Sequence, residues 1–277
     1  MTKRLVVCVL TFLLFVSLFN PHLEAQENRS AILATTTSVQ DTGLLDVLID
    51  AFQKETGLTV KAIAVGTGQA LQMGRLGEAD ILWVHSPADE KQFVDEGYGI
   101  NRTTFMHNDF VILGPKIDPA KVIGMKNAAE VFKKISSAKA LFVSRGDNSG
   151  THKKEKVIWK DAGVLPDKNA YIEAGQGMAK TVMVANEKQG YVLADRSTYL
   201  SLKKIIDLVI VSEGDQALIN SYSLILVNPD KFPKVNANGA KALFNYLLSR
   251  DSQEIIENFG KTKFGEQLFF WDMKDNQ

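Results

Sequence analysis

The chain has 277 residues, with 32 Lys and Arg against 32 Asp and Glu, 45% hydrophobic residues and one cysteine. Balanced charge with no basic stripe gives nucleic acid no electrostatic footprint, and a single cysteine excludes a disulfide framework. A chain of this length buries a core without such staples, as one large domain or two smaller ones.

Residues 1–25 read as an export signal. Lys3 and Arg4 precede an apolar run from Leu5 to Phe19, then comes Pro21, and Ala25 is a small residue suited to cleavage. The run falls short of the roughly 20 residues that span a bilayer. Cys8 lies inside this segment behind Val7, which is not the small residue of a lipoprotein site. Removing Lys3, Arg4 and Glu24 from the 32 basic and 32 acidic residues leaves 30 against 31, so the mature chain from about Gln26 is nearly neutral. No second apolar segment invites a membrane. A freely diffusing exported protein without a thiol is expected in the periplasm.

From Ala31 onward, strand-like runs alternate with helix-like ones: "AILATTT", a helix from about 42 to 55 with Gly57 as a left-handed cap, "LTVKAIAV", a helix from about Gln69, "ADILWVH", and a helix at "PADEKQFVDE". This alternation predicts parallel strands with helices on both faces, forming a first lobe over 26–112. "MHNDFVILGP" is a long strand-like run that reads as a crossover. A second alternation, "AAEVFKKISS", "ALFVS", a helix from about Ser149 to Ala162, "AYIEA" and "MAKTVMVANEKQ", predicts a second lobe over 113–205. "DLVIVS" and "SYSLILVN" then lead to a terminal helix or helix pair from about Asn238 to Phe259, and 206–277 is expected to return to the first lobe. Two α/β lobes joined by strands make a hinge with a cleft, where small ligands bind.

Three loops of one chemical kind face that cleft in this reading. Thr36, Thr37 and Ser38 stand where the first strand hands over to a helix. Thr67, Gly68 and Gln69 in "VGTGQA" repeat the arrangement one strand later, and Arg145, Ser149, Gly150 and Thr151 in "SRGDNSGTHKKE" repeat it in the second lobe. Hydroxyls and free amides at helix starts suit a small anion, and the Arg145 guanidinium can give it two parallel hydrogen bonds. The plain alternatives are N-caps and strand propensity for the threonines, and an Arg145–Asp147 pair bracing a turn with Ser149 as its cap. Two nearby carboxylates are expected to be occupied elsewhere, Asp41 near a helix start and Asp147 beside Arg145. A set of donors with few acceptors fits a fully deprotonated tetrahedral dianion.

"TTTS", "VGTGQAL", "HNDFVILGP", "SRGDNSGTH", and "GQGM" with "DRSTYL" occur in order from Ala31 to about Leu200. In this ordered set the chain resembles the tungstate-binding proteins of the Tup type, the extracytoplasmic components of an ABC importer. It departs from their pattern at Val39, Gln40, Ala194 and Ser197. The resemblance implies a two-lobed periplasmic binding protein fold of type II that closes on tungstate or molybdate, with a membrane permease as partner. It implies contacts at Thr36, Thr37, Ser38, Thr67 and its neighbouring amides, Arg145, Ser149, Gly150 and Thr151. No cofactor and no resident metal are expected, and a monomer is.

Other residues have plainer readings. His85, His107 and His152 lack metal spacing and are expected to be satisfied polar side chains. Met178 and Met183 are expected in the core. Tyr191 and Asp195 lie where they can reach the cleft, Asp195 being expected instead to pair with Arg196 or cap a turn. A receptor for molybdate, phosphate or sulfate is the rival within the same class. An exported hydrolase using Ser38 or Ser149 is the rival from another class, and no base at a suitable spacing accompanies either serine.

Overall fold

The structure, a computed structural model, describes residues 30–273. The export signal expected over residues 1–25 lies outside the described residues. Strands β1 (Ser30–Thr36), β2 (Thr59–Val65) and β3 (Ile81–Val84) run parallel in the order β2–β1–β3. Between and after them come α1 (Thr37–Thr42), α2 (Leu44–Thr56), α3 (Thr67–Leu76) and α4 (Pro87–Asp95). "ILWV" in β3 is buried throughout, as a parallel strand covered on both faces requires.

The helix expected from 42 to 55 is two helices. Gly43, at φ 89°, ends α1 by donating its amide to the Gln40 carbonyl at 2.9 Å, and α2 starts at the next residue. A left-handed glycine can terminate one helix and redirect the chain into another without steric cost. Leu44, Leu45, Leu48, Ile49 and Phe52 then form the buried stripe of α2.

The crossover is β4 (Gly99–Gly114), sixteen residues long. Through Asp109 it pairs antiparallel with β9 (Ile219–Val227), and from Phe110 it pairs with β7 (Val192–Asp195). It also pairs with β8 (Val209–Ser212). One strand thus leaves the first sheet and enters the second. β9 returns the chain to the first sheet by pairing with β3 as well, and β10 (Phe270–Trp271) adds to the β4 edge. The second half also carries α5 (Ala128–Ser137), β5 (Phe142–Ser144), α6 (Gly150–Asp161), β6 (Tyr171–Glu173), α7 (Met178–Lys188) and α8 (Arg196–Leu202). The chain ends in α9 (Ala237–Leu247), α10 (Arg250–Asn258) and α11 (Lys261–Phe264).

Alternation along single strands puts a core on each face of each sheet. Leu33 packs with Phe52, Trp83 and Phe105, whereas its neighbour Ala34 packs with Leu71, Leu82 and Phe93 on the other face. On β4, Ile112 joins Phe132, Phe142 and Trp159, while Val111 and Leu113 join Val143, Val182 and Val192. Each fully buried side chain of this size contributes about 1.5–3 kcal/mol, so these cores hold the loops between them rigidly.

Two expectations need correction, and a third resolves between its two alternatives. Met178 is buried, but Met183 is 41% exposed because it lies on the outer side of α7. Tyr191 does not reach the cleft: its hydroxyl donates to Asp118 Oδ1 at 2.6 Å and accepts the Ala120 amide inside the second core. Asp195 caps α8 by accepting the Thr198 amide at 2.9 Å, while Arg196 pairs with Asp109, Glu213 and Glu266 beside the strand crossing.

Candidate oxyanion-binding site

The carboxyl ends of β1, β2 and β5 feed α1, α3 and α6, and these three turns converge on a cavity of about 740 Å³. Its wall takes Thr37, Gly66 and Gly68 from the first half of the chain and Arg145, Asn148 and Gly177 from the second. Of the residues singled out in the sequence, Thr37, Gly68, Gln69 and Arg145 are on this wall, together with the carboxylates Asp41 and Asp147. Thr36, Ser38, Thr67, Ser149, Gly150 and Thr151 are buried in the turns that carry it.

The threonine turn divides its work. Thr35 Oγ1 donates to the Trp83 carbonyl at 3.0 Å and is structural. Thr36 Oγ1 and Ser38 Oγ lie 3.2 Å apart, and no side chain caps α1. Gly66 is the N-cap of α3 and has no side chain to offer, so the first amides of that helix are uncapped as well. Thr67 Oγ1, fully buried beside them, has no hydrogen-bond partner among the described residues. A buried orphan hydroxyl costs about 1–3 kcal/mol, which a bound acceptor would relieve.

The third turn is more tightly tied. Arg145 Nε donates to Asp147 Oδ2 at 2.8 Å, and the Ser149 amide donates to Asp147 Oδ1 at 3.0 Å. Both oxygens of Asp147 are therefore engaged, as the spacing led us to expect. No hydrogen bond engages the Arg145 terminal nitrogens Nη1 and Nη2 among the described residues, although the side chain is only 6% exposed. Ser149 Oγ caps α6 by accepting the His152 amide at 3.4 Å, leaving its own proton available. Gly146 has φ 66°, and a Cβ there would stand 2.7 Å from Glu173 Cβ, so only glycine fits.

Asp41 departs from expectation. It lies in the last turn of α1, away from the helix start, and lines the cavity without a hydrogen bond among the described residues. Burial and the neighbouring Asp195 raise its pKa, and Arg145 opposes the shift.

Sequence reasoning also missed a buried polar cluster behind the threonine turn. His85 follows β3, and its Nδ1 lies 2.8 Å from Asn220 Oδ1. Asn220 Nδ2 donates to Asn108 Oδ1 at 2.7 Å and to the Tyr222 hydroxyl at 3.0 Å. With both amide protons committed, Asn220 Oδ1 accepts and His85 Nδ1 donates. Burial pushes the His85 pKa down to about 4, so the ring is neutral at ordinary pH. The signal for His85 was present, since it stands at the same strand end as Thr37 and Thr67 do on their strands.

The set offers hydroxyls, amides and one guanidinium, with the Asp41 carboxylate on the same wall. Neither Ser38 nor Ser149 hydrogen-bonds to a histidine ring or a carboxylate through its hydroxyl among the described residues. No group of three or more His, Cys, Asp or Glu suited to a metal ion occurs among them either.

Residues 23–251 match the PBP superfamily domain. The chain is 49% identical over 248 residues to the tungstate-binding protein TupA of Peptoclostridium acidaminophilum, covering 89% of this chain and 87% of that one. Among solved structures it is similar to the tungstate-binding protein TupA of Desulfovibrio alaskensis G20, at 46% identity and TM-score 0.78, covering 88% of this chain and 99% of that one. It is also similar to a protein of the tungstate ABC transporter of Geobacter sulfurreducens, at 46% identity and TM-score 0.76, covering 83% and 98%.

Proposed function

Because the chain belongs to the family of tungstate-binding proteins, we propose that it is the receptor of an ABC importer and holds tungstate, or its congener molybdate, between two lobes. The single observation that carries this reading is a buried Thr67 hydroxyl without a partner among the described residues, in a turn that carries a donor-lined cavity, with two Arg145 nitrogens likewise uncommitted among them on the cavity wall. An oxyanion with only acceptors satisfies both. We take the residues up to about 109, together with those from β9 onward, as one lobe and the stretch between as the other; the expected boundary at 206 moves to β9 because β8 pairs with the same end of β4 as β7 does, and the hinge in this reading lies where β4 changes sheets.

The ligand contacts in this reading are Thr36, Thr37, Ser38, Thr67, Gly68, Arg145, Ser149, Gly150 and Thr151. Desolvating a dianion is costly, and fixed dipoles with one Arg offset that cost without a second full charge. The receptor acts outside the cytoplasmic membrane, exported by residues 1–25, and hands its ligand to a membrane permease as a monomer. A thermal melt tests the binding: a ligand at 1,000 times its Kd adds about 4 kcal/mol, so sodium tungstate should raise Tm by several degrees. A shift with phosphate and none with tungstate would overturn the reading in favour of a phosphate receptor.

A further inference from the structure

Asn148 has φ 60°, a left-handed conformation that costs a non-glycine residue free energy unless its surroundings hold it. It shares a turn with Gly146, at φ 66°, so the chain reverses its backbone hand twice between Arg145 and Ser149. The Asn148 amide donates to Nδ1 of His152 at 3.0 Å, across four residues. His152 therefore reaches back from the first turn of α6 over the loop that precedes it. The chain of contacts continues from Asn148 to its neighbour Asp147, which grips Arg145 Nε at 2.8 Å.

We propose that His152 is a positioning residue for Arg145: by accepting the Asn148 amide at Nδ1 it fixes the turn that aims the two free guanidinium nitrogens into the cleft. The proposal rests on the binding function stated above and deepens it. The role requires an acceptor, so the neutral ring carries its proton on Nε2, which is buried and has no partner among the described residues. Burial and Lys156 favour the neutral ring, as does Arg145, while Glu173 and Asp147 oppose them. His152 itself is only 4% exposed, and its backbone amide also bonds Ser149 Oγ, so the ring has little room to leave.

The test uses His152→Leu, which removes the acceptor, and His152→Asn, whose Oδ1 can stand where Nδ1 stands. Both are titrated calorimetrically with sodium tungstate, alone and in an Arg145→Lys background. His152→Leu should weaken binding about tenfold and His152→Asn about threefold or less, since a lost buried hydrogen bond is worth that order. In the Arg145→Lys background His152→Leu should add less than about a twofold loss, because coupled residues are not additive. Equal losses for Leu and Asn, or the same loss in both backgrounds, would make His152 a fold-stabilising residue only and overturn the proposal. The parent protein in the same titration tests the binding function separately. Should it ignore tungstate and bind hydrogen phosphate, the same cycle run with phosphate decides the role of His152.

Discussion

The imidazole of His85 lies against the backbone of Gly150, so closely that a Cβ on Gly150 would stand 2.4 Å from the ring carbon Cε1. His85 ends a strand of the first sheet and Gly150 starts a helix of the second half, so this contact exists only while the two come together. The ring cannot retreat, because Asn220 holds its Nδ1 at 2.8 Å and Tyr222 packs on it at 5.0 Å between centroids. Nearby, Lys153 pairs with Asp89 and Lys154 donates to the Ile219 carbonyl at 3.1 Å across the same divide.

Gly150→Ala should therefore hold the cleft ajar. We expect tungstate affinity to fall at least about tenfold, while the unliganded protein keeps its Tm, since a separated cleft leaves room for the added methyl at this first helical position. Calorimetry gives the affinity and small-angle scattering the missing contraction. An unchanged Kd would mean that His85 can move and that the contact does not gate closure.

Thr67→Val separates stability from binding. The hydroxyl is buried and has no partner among the described residues, so an isosteric methyl should leave the empty protein as stable or up to about 2 kcal/mol more stable. The same change should cost the ligand one hydrogen bond and weaken tungstate several-fold or more. Urea unfolding and calorimetry on one preparation check both signs.

Arg145→Ala leaves a dianion facing dipoles alone and should weaken binding by about 2–5 kcal/mol. Arg145→Lys keeps charge and loses the fork, so it should fall between the two. The Asp147 carboxylate, accepting also from the Ser149 amide, keeps the turn folded in both variants. Arg145→Ala with parental affinity would reduce the guanidinium to a turn brace.

Burial holds His85 neutral, with Arg145 and Lys154 adding to the effect and Asn220 opposing it. Its pKa of about 4 lies below the ordinary 6.5, so the folded state binds fewer protons than the unfolded one in between. The stability from this site is complete above pH 6.5, declines as pH falls toward 4, and totals about 3 kcal/mol. His85→Gln should flatten that part of the pH–stability curve, measured as urea midpoints from pH 4 to 7.5. Parallel curves for parent and variant would contradict the assignment.

Local chemistry was legible where a side chain acts on its own neighbourhood. Ser149 as a cap and Asp147 as the brace of Arg145 follow from spacings of a few residues. The apolar run of β4 announced a crossover, although not that its partner changes from β9 to β7 at Asp109 and Phe110. Asp41 was misread because the helix boundary was: Gly43 ends a six-residue helix, which sets Asp41 in its final turn and turns it to the cavity. The place of His85 at a strand end was legible, but its partner was not, since Asn220 comes from a strand 135 residues away and nothing in the local pattern points to it.

Competition calorimetry at pH 7.5, with tungstate bound and molybdate, sulfate and phosphate as challengers, tests the binding function most directly. Phosphate retains a proton near neutral pH, and an unsatisfied donor hydrogen facing hydroxyls and amides costs about 1–3 kcal/mol. Both Asp147 oxygens are engaged, which leaves Asp41 as the wall carboxylate to set against the many donors, so phosphate should bind at least about tenfold more weakly than tungstate. Phosphate displacing tungstate at near-equal concentration would contradict the assignment, and Asp41, on the cavity wall without a partner among the described residues, would then be the carboxylate that accepts it.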